Sequence, residues 1–271
     1  MRRLALPLLV LSTVVVAMLS TPVLAGNGCT RTGTGGNDRL IGTDGADVLC
    51  GAAGNDVLIG LGGDDVLIGG SGDDVLQPGA GGDELHGGRG ADQASYRDAH
   101  GGVIASLRAR FATGMGRDVF FGLEDAVGGP GKDCLIGDLD DNAIFGKGGT
   151  DAIIGREGRD FLDSGRGSGA VFGGPGKDIV TGGPGLDGAF DEDYAFCGER
   201  VFVSGLYGGD GNDSIAGLRG PDWLQGGRGD DTLFGSGGRD HLDGGRGHDR
   251  LDGGPNPDEC VRGEAVLACE R

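Results

Sequence analysis

From Gly33 onward, apolar and polar residues recur with a period of nine. Gly33-Thr-Gly-Gly-Asn-Asp38-Arg-Leu40-Ile is followed by Gly42-Thr-Asp-Gly-Ala-Asp47-Val-Leu49-Cys and by Gly51-Ala-Ala-Gly-Asn-Asp56-Val-Leu58-Ile. Positions one to four are glycine-rich, position six is aspartate and position eight is apolar. A fixed short period over many units marks a solenoid, in which each repeat packs only on its neighbours. Successive side chains of a strand point to opposite faces. The residues around position eight therefore predict a short strand that buries Leu40, Leu49, Leu58, Leu67, Leu76 and Leu85 and turns positions seven and nine outward. The glycine-rich remainder of each unit predicts a turn. With one strand and one turn per unit, two units make a coil, and coils stack at about 4.8 Å. Loops on one side then come from units n and n+2. The expected fold is an all-β solenoid of nine-residue repeats, two to a coil.

The frame runs without a slip over a first array of seven units, 33–95, and breaks over 96–127. There Val103-Ile-Ala105-Ser-Leu107 alternates like a strand, and Asp118-Val-Phe120-Phe-Gly-Leu123-Glu124 reads as a longer coil. The break predicts a widened turn of the same solenoid rather than a new domain. A second array of seven units spans 128–190, with core positions Leu135, Ile144, Ile153, Leu162, Val171, Val180 and Ala189. An irregular insert, 191–207, carries the acids Asp191-Glu-Asp193 and then Val201-Phe-Val203. The third array, 208–261, has six units built on Ile215, Leu224, Leu233, Leu242, Leu251 and Cys260. Caps are expected at 26–32 and 262–271. The 20 units account for 180 of the 271 residues.

The spacing points to metal chemistry. Glycine reaches positive φ without a Cβ clash, so such a loop can turn its carbonyls inward, and the aspartate at position six adds a carboxylate beside them. Calcium takes ~6–8 oxygen ligands, carboxylates and backbone carbonyls among them. One loop cannot supply so many, but two stacked loops can. The candidate ligands are Asp38, Asp47, Asp56, Asp65, Asp74, Asp83 and Asp92 in the first array. They are Asp133, Asp151, Asp160, Asp178 and Asp187 in the second, and Asp213, Asp222, Asp231, Asp240, Asp249 and Asp258 in the third. Stacking pairs Asp38 with Asp56, Asp47 with Asp65 and Asp56 with Asp74, with an ion between them. Asn142 and Gly169 replace aspartate in two units, whose sites should be weaker or empty. A flexible linker or an acidic disordered tract would share this composition, but neither would hold Asp and Leu in frame over seven units.

Composition sharpens the picture. Gly supplies 64 of 271 residues and aromatic residues only 5%, so a broad core of large side chains is not expected. The net charge is −19, from 42 acids against 23 bases, and 18 of those acids sit at position six. Without cations such a chain repels itself. It also does not suit nucleic acid, which calls for basic patches, or an anionic membrane surface. Residues 1–25 read as a secretory leader, with Arg2-Arg3, an apolar run from Leu4 to Leu19 and a small-residue site that predicts cleavage after Ala25. No later segment is apolar enough to span a bilayer, so an extracellular location is expected. Export favours disulfides among Cys29, Cys50, Cys134, Cys197, Cys260 and Cys269. Cys29 with Cys50, and Cys260 with Cys269, would staple the two ends. Cys134 and Cys197 would lie ~17 Å apart on a straight coil and could pair only if the insert 191–207 folds back; otherwise they are free.

No H-E-x-x-H, G-x-S-x-G or Walker A sequence is present. The run Gly183-Pro-Gly185-Leu-Asp-Gly188 fits a dinucleotide pattern, but it lies inside the repeat frame and opens no helix. His86, His241 and His248 fall at outward or loop positions. Catalysis is therefore the lesser expectation.

The repeat resembles the RTX (repeats-in-toxin) calcium-binding nonapeptide family over about two thirds of the chain. Tyr96, Gly102-Val103, Ser106-Leu107 and Asp118 to Gly128 also look like that family's interruption and its return to register. The resemblance implies a parallel β-roll, several calcium ions between coils and folding triggered by calcium after export. An N-terminal leader departs from the C-terminal export signal frequent in the family, and no toxin, protease or lipase domain is visible. Two functions are expected: a calcium-dependent structural or binding module, with a cell-surface or polysaccharide partner possible, or an enzyme on the roll, of polysaccharide epimerase or lyase type. The first is preferred. An outward threonine row, as ice binding would use, is absent.

Overall fold

The computed structural model describes residues 28–183 and 205–269. The leader, Asp187, Ala189, the acidic cluster 191–193, Val201 to Val203 and Cys197 lie outside the described residues. Among the described residues every regular element is a strand, and no helix is long and apolar enough to cross a membrane.

The strands form two sheets, one of fourteen strands and one of twelve. Partners are eighteen residues apart and parallel: Val48 faces Val66 and Leu49 faces Leu67 in one sheet, while Val57 faces Val75 and Leu58 faces Leu76 in the other. The expected two-unit lap is the observed one. Position eight points inward on both walls. Leu49, Leu58, Leu67, Leu76 and Leu85 are fully buried, as are Leu135, Ile144, Leu162, Val171, Ile215, Leu224, Leu233, Leu242 and Leu251. Leu40 and Cys260, at the two ends, are only partly covered. One layer of branched side chains thus serves both sheets, which is why so few aromatics suffice. Loss of one layer should be felt strongly. Leu67→Ala is expected to cost about 2–5 kcal/mol, read from urea denaturation in saturating calcium; a change under 1 kcal/mol would mean that the layer is not close-packed.

The strands are longer than the period suggests. In most coils of the first and third arrays they span six residues, as in Val66–Ser71 and Thr232–Gly237, whereas Cys134–Ile136, Ala143–Phe145 and Phe161–Asp163 of the second are three residues long. The six-residue strands run from position seven into position three of the next unit. Glycine at position one is buried beside the leucine layer, so the first three glycine-rich positions belong to the wall and the turn is confined to positions four to six.

The segment 96–127 stays within the same sheets but is not a widened parallel coil. Strands Ile104–Ser106, Phe111–Thr113 and Arg117–Phe121 form an antiparallel meander inside the fourteen-stranded sheet, between Glu84–Arg89 and Cys134–Ile136. On the other wall the stack continues directly from Gln93–Ser95 through Asp125–Val127 to Ala143–Phe145. The meander buries Val103, Ala105, Leu107, Ala112 and Phe120 in the same core, with Tyr96 and Ala99. Alternation identified the strands here; their direction depends on which neighbour each one meets.

Stacking also carries across the second break. Val171 faces Leu206 and Ile179 faces Ser214, and Leu206 takes a fully buried core place. Disulfides Cys29–Cys50 and Cys260–Cys269, with Cα atoms 6.0 and 5.8 Å apart, close the two ends as expected. Cys134 is buried against Ile136 and Ile154 and is disulfide-bonded.

Candidate metal sites

Positions six and eight share a face, so the aspartates point inward with the leucines. Asp56, Asp65 and Asp74 are each 1% exposed. One oxygen of each is used in a ladder along the roll. The Asp56 amide donates to Asp74 Oδ1, Asp65 to Asp83 and Asp74 to Asp92, at 2.8, 2.8 and 2.9 Å. Asp38 donates to Asp56 and Asp47 to Asp65 in the same way, so the n, n+2 pairing expected from the lap is present. In the later arrays Asp133 donates to Asp151, Asp160 to Asp178, Asp178 to Asp213, and Asp213 to Asp231. Asp222 donates to Asp240, Asp231 to Asp249 and Asp240 to Asp258.

The frame alone missed three members of this ladder. Asp83 donates to Asp118 Oδ1 across the meander, Asp92 to Glu124 Oε2, and Asp249 to Glu264 Oε2. Asp118 carried a signal, since it precedes buried Phe120 by two residues as position six precedes position eight. The two glutamates carried none, because they stand outside any unit and reach the ladder through a longer side chain.

The second oxygen is the chemical feature of the molecule. Oδ2 of Asp56, Asp65, Asp74, Asp83 and Asp92 is buried with no hydrogen-bond partner. The same holds for Asp151, Asp160, Asp178, Asp213, Asp231, Asp240 and Asp249. An uncompensated buried carboxylate is costly and neutralises instead. Burial accordingly pushes the carboxyls of Asp83, Asp151, Asp178 and Asp231 up to about 7, with carboxylates of adjoining coils adding to it. It pushes those of Asp92, Asp160 and Asp213 up to about 6.

These oxygens converge on backbone carbonyls. A Cβ built on Gly235, at position one, would lie 2.5 Å from Asp240 Oδ2 and 2.7 Å from the carbonyl oxygen of Gly253, the position-one residue of the next coil on that wall. The absent side chain leaves room where a carboxylate and a carbonyl meet. The unit 164–172 supports this reading by its exchange of residues. Ser164 stands at position one and Gly169 at position six, and a Cβ on Gly169 would run into the Ser164 side chain. In this unit the side chain and the glycine have exchanged places; among the described units Pro78 is the other non-glycine at position one, and it keeps Asp83 at position six.

Some loops are built differently. Asp38 Oδ2 accepts from both the amide and the hydroxyl of Thr34, and Asp47 Oδ2 from those of Thr43. These bonds hold both carboxyls below their usual range. Asp133 Oδ2 accepts from the Gly129 amide, and Asn142 Oδ1 from the Asp138 amide. Asp118 Oδ2 accepts from the buried Tyr96 hydroxyl at 2.6 Å.

The donor set is oxygen, from carboxylates and backbone carbonyls. Among the described residues no three His, Cys, Asp or Glu side chains gather as a metal cluster, so soft metals that need imidazole or thiolate are poorly served. A hard cation that accepts carbonyls and few carboxylates is well served. His86 instead stacks on Phe121 with ring centroids 4.6 Å apart, and His241 packs on Trp223 at 4.0 Å.

Compared with known families, the chain matches the model of the RTX calcium-binding nonapeptide repeat at residues 32–67, 59–94, 136–171, 170–188, 207–242 and 226–258, well over half its length. No curated protein matches it.

Proposed function

The chain belongs to the RTX calcium-binding nonapeptide repeat family, and from that premise we propose that it is an exported module whose folding is driven by calcium bound between stacked loops. The single observation that carries this reading is the row of buried Oδ2 atoms with no partner. In each such loop calcium would be held by that oxygen together with backbone carbonyls, including the position-one carbonyl of the next coil on the same wall. The ion supplies positive charge where several carboxylates are buried close together. The protein's own residues do the rest: the leucine layer sets the coil spacing, and the amide-to-Oδ1 ladder fixes one oxygen so that the other faces the loop.

Two features support an extracellular place of action. The leader-like segment 1–25 predicts export, and the end disulfides suit an oxidising compartment. Extracellular calcium modules work at Kd values of about 10⁻⁴–10⁻³ M, and this roll belongs in that range. We read it as a structural or binding module rather than an enzyme, because carboxylates engaged by amides and calcium are poor proton donors.

Calorimetric titration of the metal-free mature protein with calcium tests the reading. Uptake of several ions saturating in the millimolar range is expected; absence of uptake would end it. A parallel incubation with uronate polymers and calcium should give no cleavage or epimerisation, and turnover there would favour the enzyme alternative.

A further inference from the structure

We propose that the backbone conformation at position two sorts the loops of this chain into calcium sites and self-closed loops, so that the ions fall into two blocks separated by an ion-independent junction. The proposal rests on calcium being the ligand and goes beyond it by saying which aspartates bind.

Two independent features coincide. In four loops where position two carries a side chain and lies in the left-handed region, Oδ2 of the aspartate at position six is buried and partnerless: Ala52 (φ 85°) with Asp56, Leu61 (79°) with Asp65, Lys147 (78°) with Asp151 and Ser236 (75°) with Asp240. Where position two lies outside that region, at Thr34, Thr43, Gly129 and Asp138, its amide caps the side chain at position six of its own loop. In the left-handed loops the amide is turned elsewhere; that of Arg156 donates to the Gly173 carbonyl at 2.8 Å. A residue with a Cβ is strained in this conformation, which persists where the surroundings demand it, often at ligand clamps. Leu61, Lys147 and Ser236 accept that strain in loops whose carboxylate is left open.

A closed loop has little need of a cation. Asp47 Oδ2 already accepts an N–H and an O–H, and Asp133 accepts amides on both oxygens, from Val103 and Gly129. Asn142 shows that an amide does equally well in such a loop: its Oδ1 accepts from Asp138 and its nitrogen donates to the Glu124 carbonyl at 2.8 Å. With Asp118 closed by Tyr96, the stretch from the meander to Asn142 forms a plug. Open loops lie before it, from Asp56 to Asp92, and after it, at Asp151, Asp160, Asp178, Asp213, Asp231, Asp240 and Asp249. Asp38 and Asp47 close the first coil in the same way.

The test is ion stoichiometry, measured by equilibrium dialysis of radioactive calcium against the full mature chain. Asp47→Asn is expected to bind as many ions as the wild type, whereas Asp74→Asn binds at least one fewer. Loss of an ion from Asp47→Asn overturns the sorting. If Asp74→Asn does not fold, wild-type crystals grown with terbium decide by anomalous scattering: ions are expected beside the open aspartates, and an ion beside Asp38, Asp47 or Asp133 overturns the proposal. A wild-type chain that takes up no calcium would remove the underlying reading itself, which these two outcomes leave standing.

Discussion

Excess chelator is expected to abolish the strand signal of the mature protein in circular dichroism at neutral pH, and calcium is expected to restore it. The magnitudes decide this. Folded domains are stable by about 5–15 kcal/mol, while burying an ion without a partner costs several kcal/mol even after relaxation. The roll buries such an oxygen in loop after loop, from Asp56 to Asp92 and again at Asp151, Asp160, Asp178, Asp213, Asp231, Asp240 and Asp249. A few of these exceed the whole margin. The opposing gain is modest, since the core is one layer of mostly aliphatic side chains, and ordering a glycine-rich chain is entropically expensive. Calcium removes the penalty and links neighbouring coils, so binding and folding should be one event. The end disulfides survive chelation and tie only the first and last coils. Unchanged strand content in excess chelator would overturn the coupling.

Acidification is expected to do part of calcium's work. In chelator, the chain should gain structure as the pH is lowered from 8 toward 5. The sign follows from the direction of the shifts. Burial raises the folded-state carboxyls of Asp83, Asp151, Asp178 and Asp231 to about 7, from an ordinary value of 3.8. Between those limits the folded chain holds protons that the unfolded chain has released. By linkage the metal-free fold is favoured below the unfolded value and loses that stability as pH rises through about 6 to 7. Asp38 and Asp47 shift the other way, through their threonine bonds, but they are few. Protons and calcium compete for the same oxygens, so the calcium midpoint should move to higher concentration as the pH falls from 7 to 5. A midpoint independent of pH, or a metal-free chain that unfolds further on acidification, would show that these oxygens are not where calcium binds.

Much of this architecture is written in local spacing. Strand alternation places positions six and eight on one face whatever the rest of the chain does, so the leucine layer, the inward aspartates and the eighteen-residue lap follow from the period alone. The pairing of Cys29 with Cys50 follows as well, because their separation is close to one lap. The exchange of residues at Ser164 and Gly169 is legible in the same frame.

Other features arise only when coils meet. Thr34 and Leu61 occupy the same position in their units, yet one caps its aspartate and the other turns away; the choice is the φ angle adopted at that residue, and the nine-residue pattern does not encode it. The meander between Ile104 and Phe121 reverses direction because its strands meet one another instead of a following coil. Asp118, Glu124 and Glu264 join the ladder from outside the frame, across sequence separations set by the inserts and not by the repeat. The sequence by itself determined the period, the faces and the kind of ligand atom. Tertiary structure decided which carboxylates are left open, because an oxygen is open or closed according to the backbone conformation its loop takes up in the stack and the donors that this turns toward it.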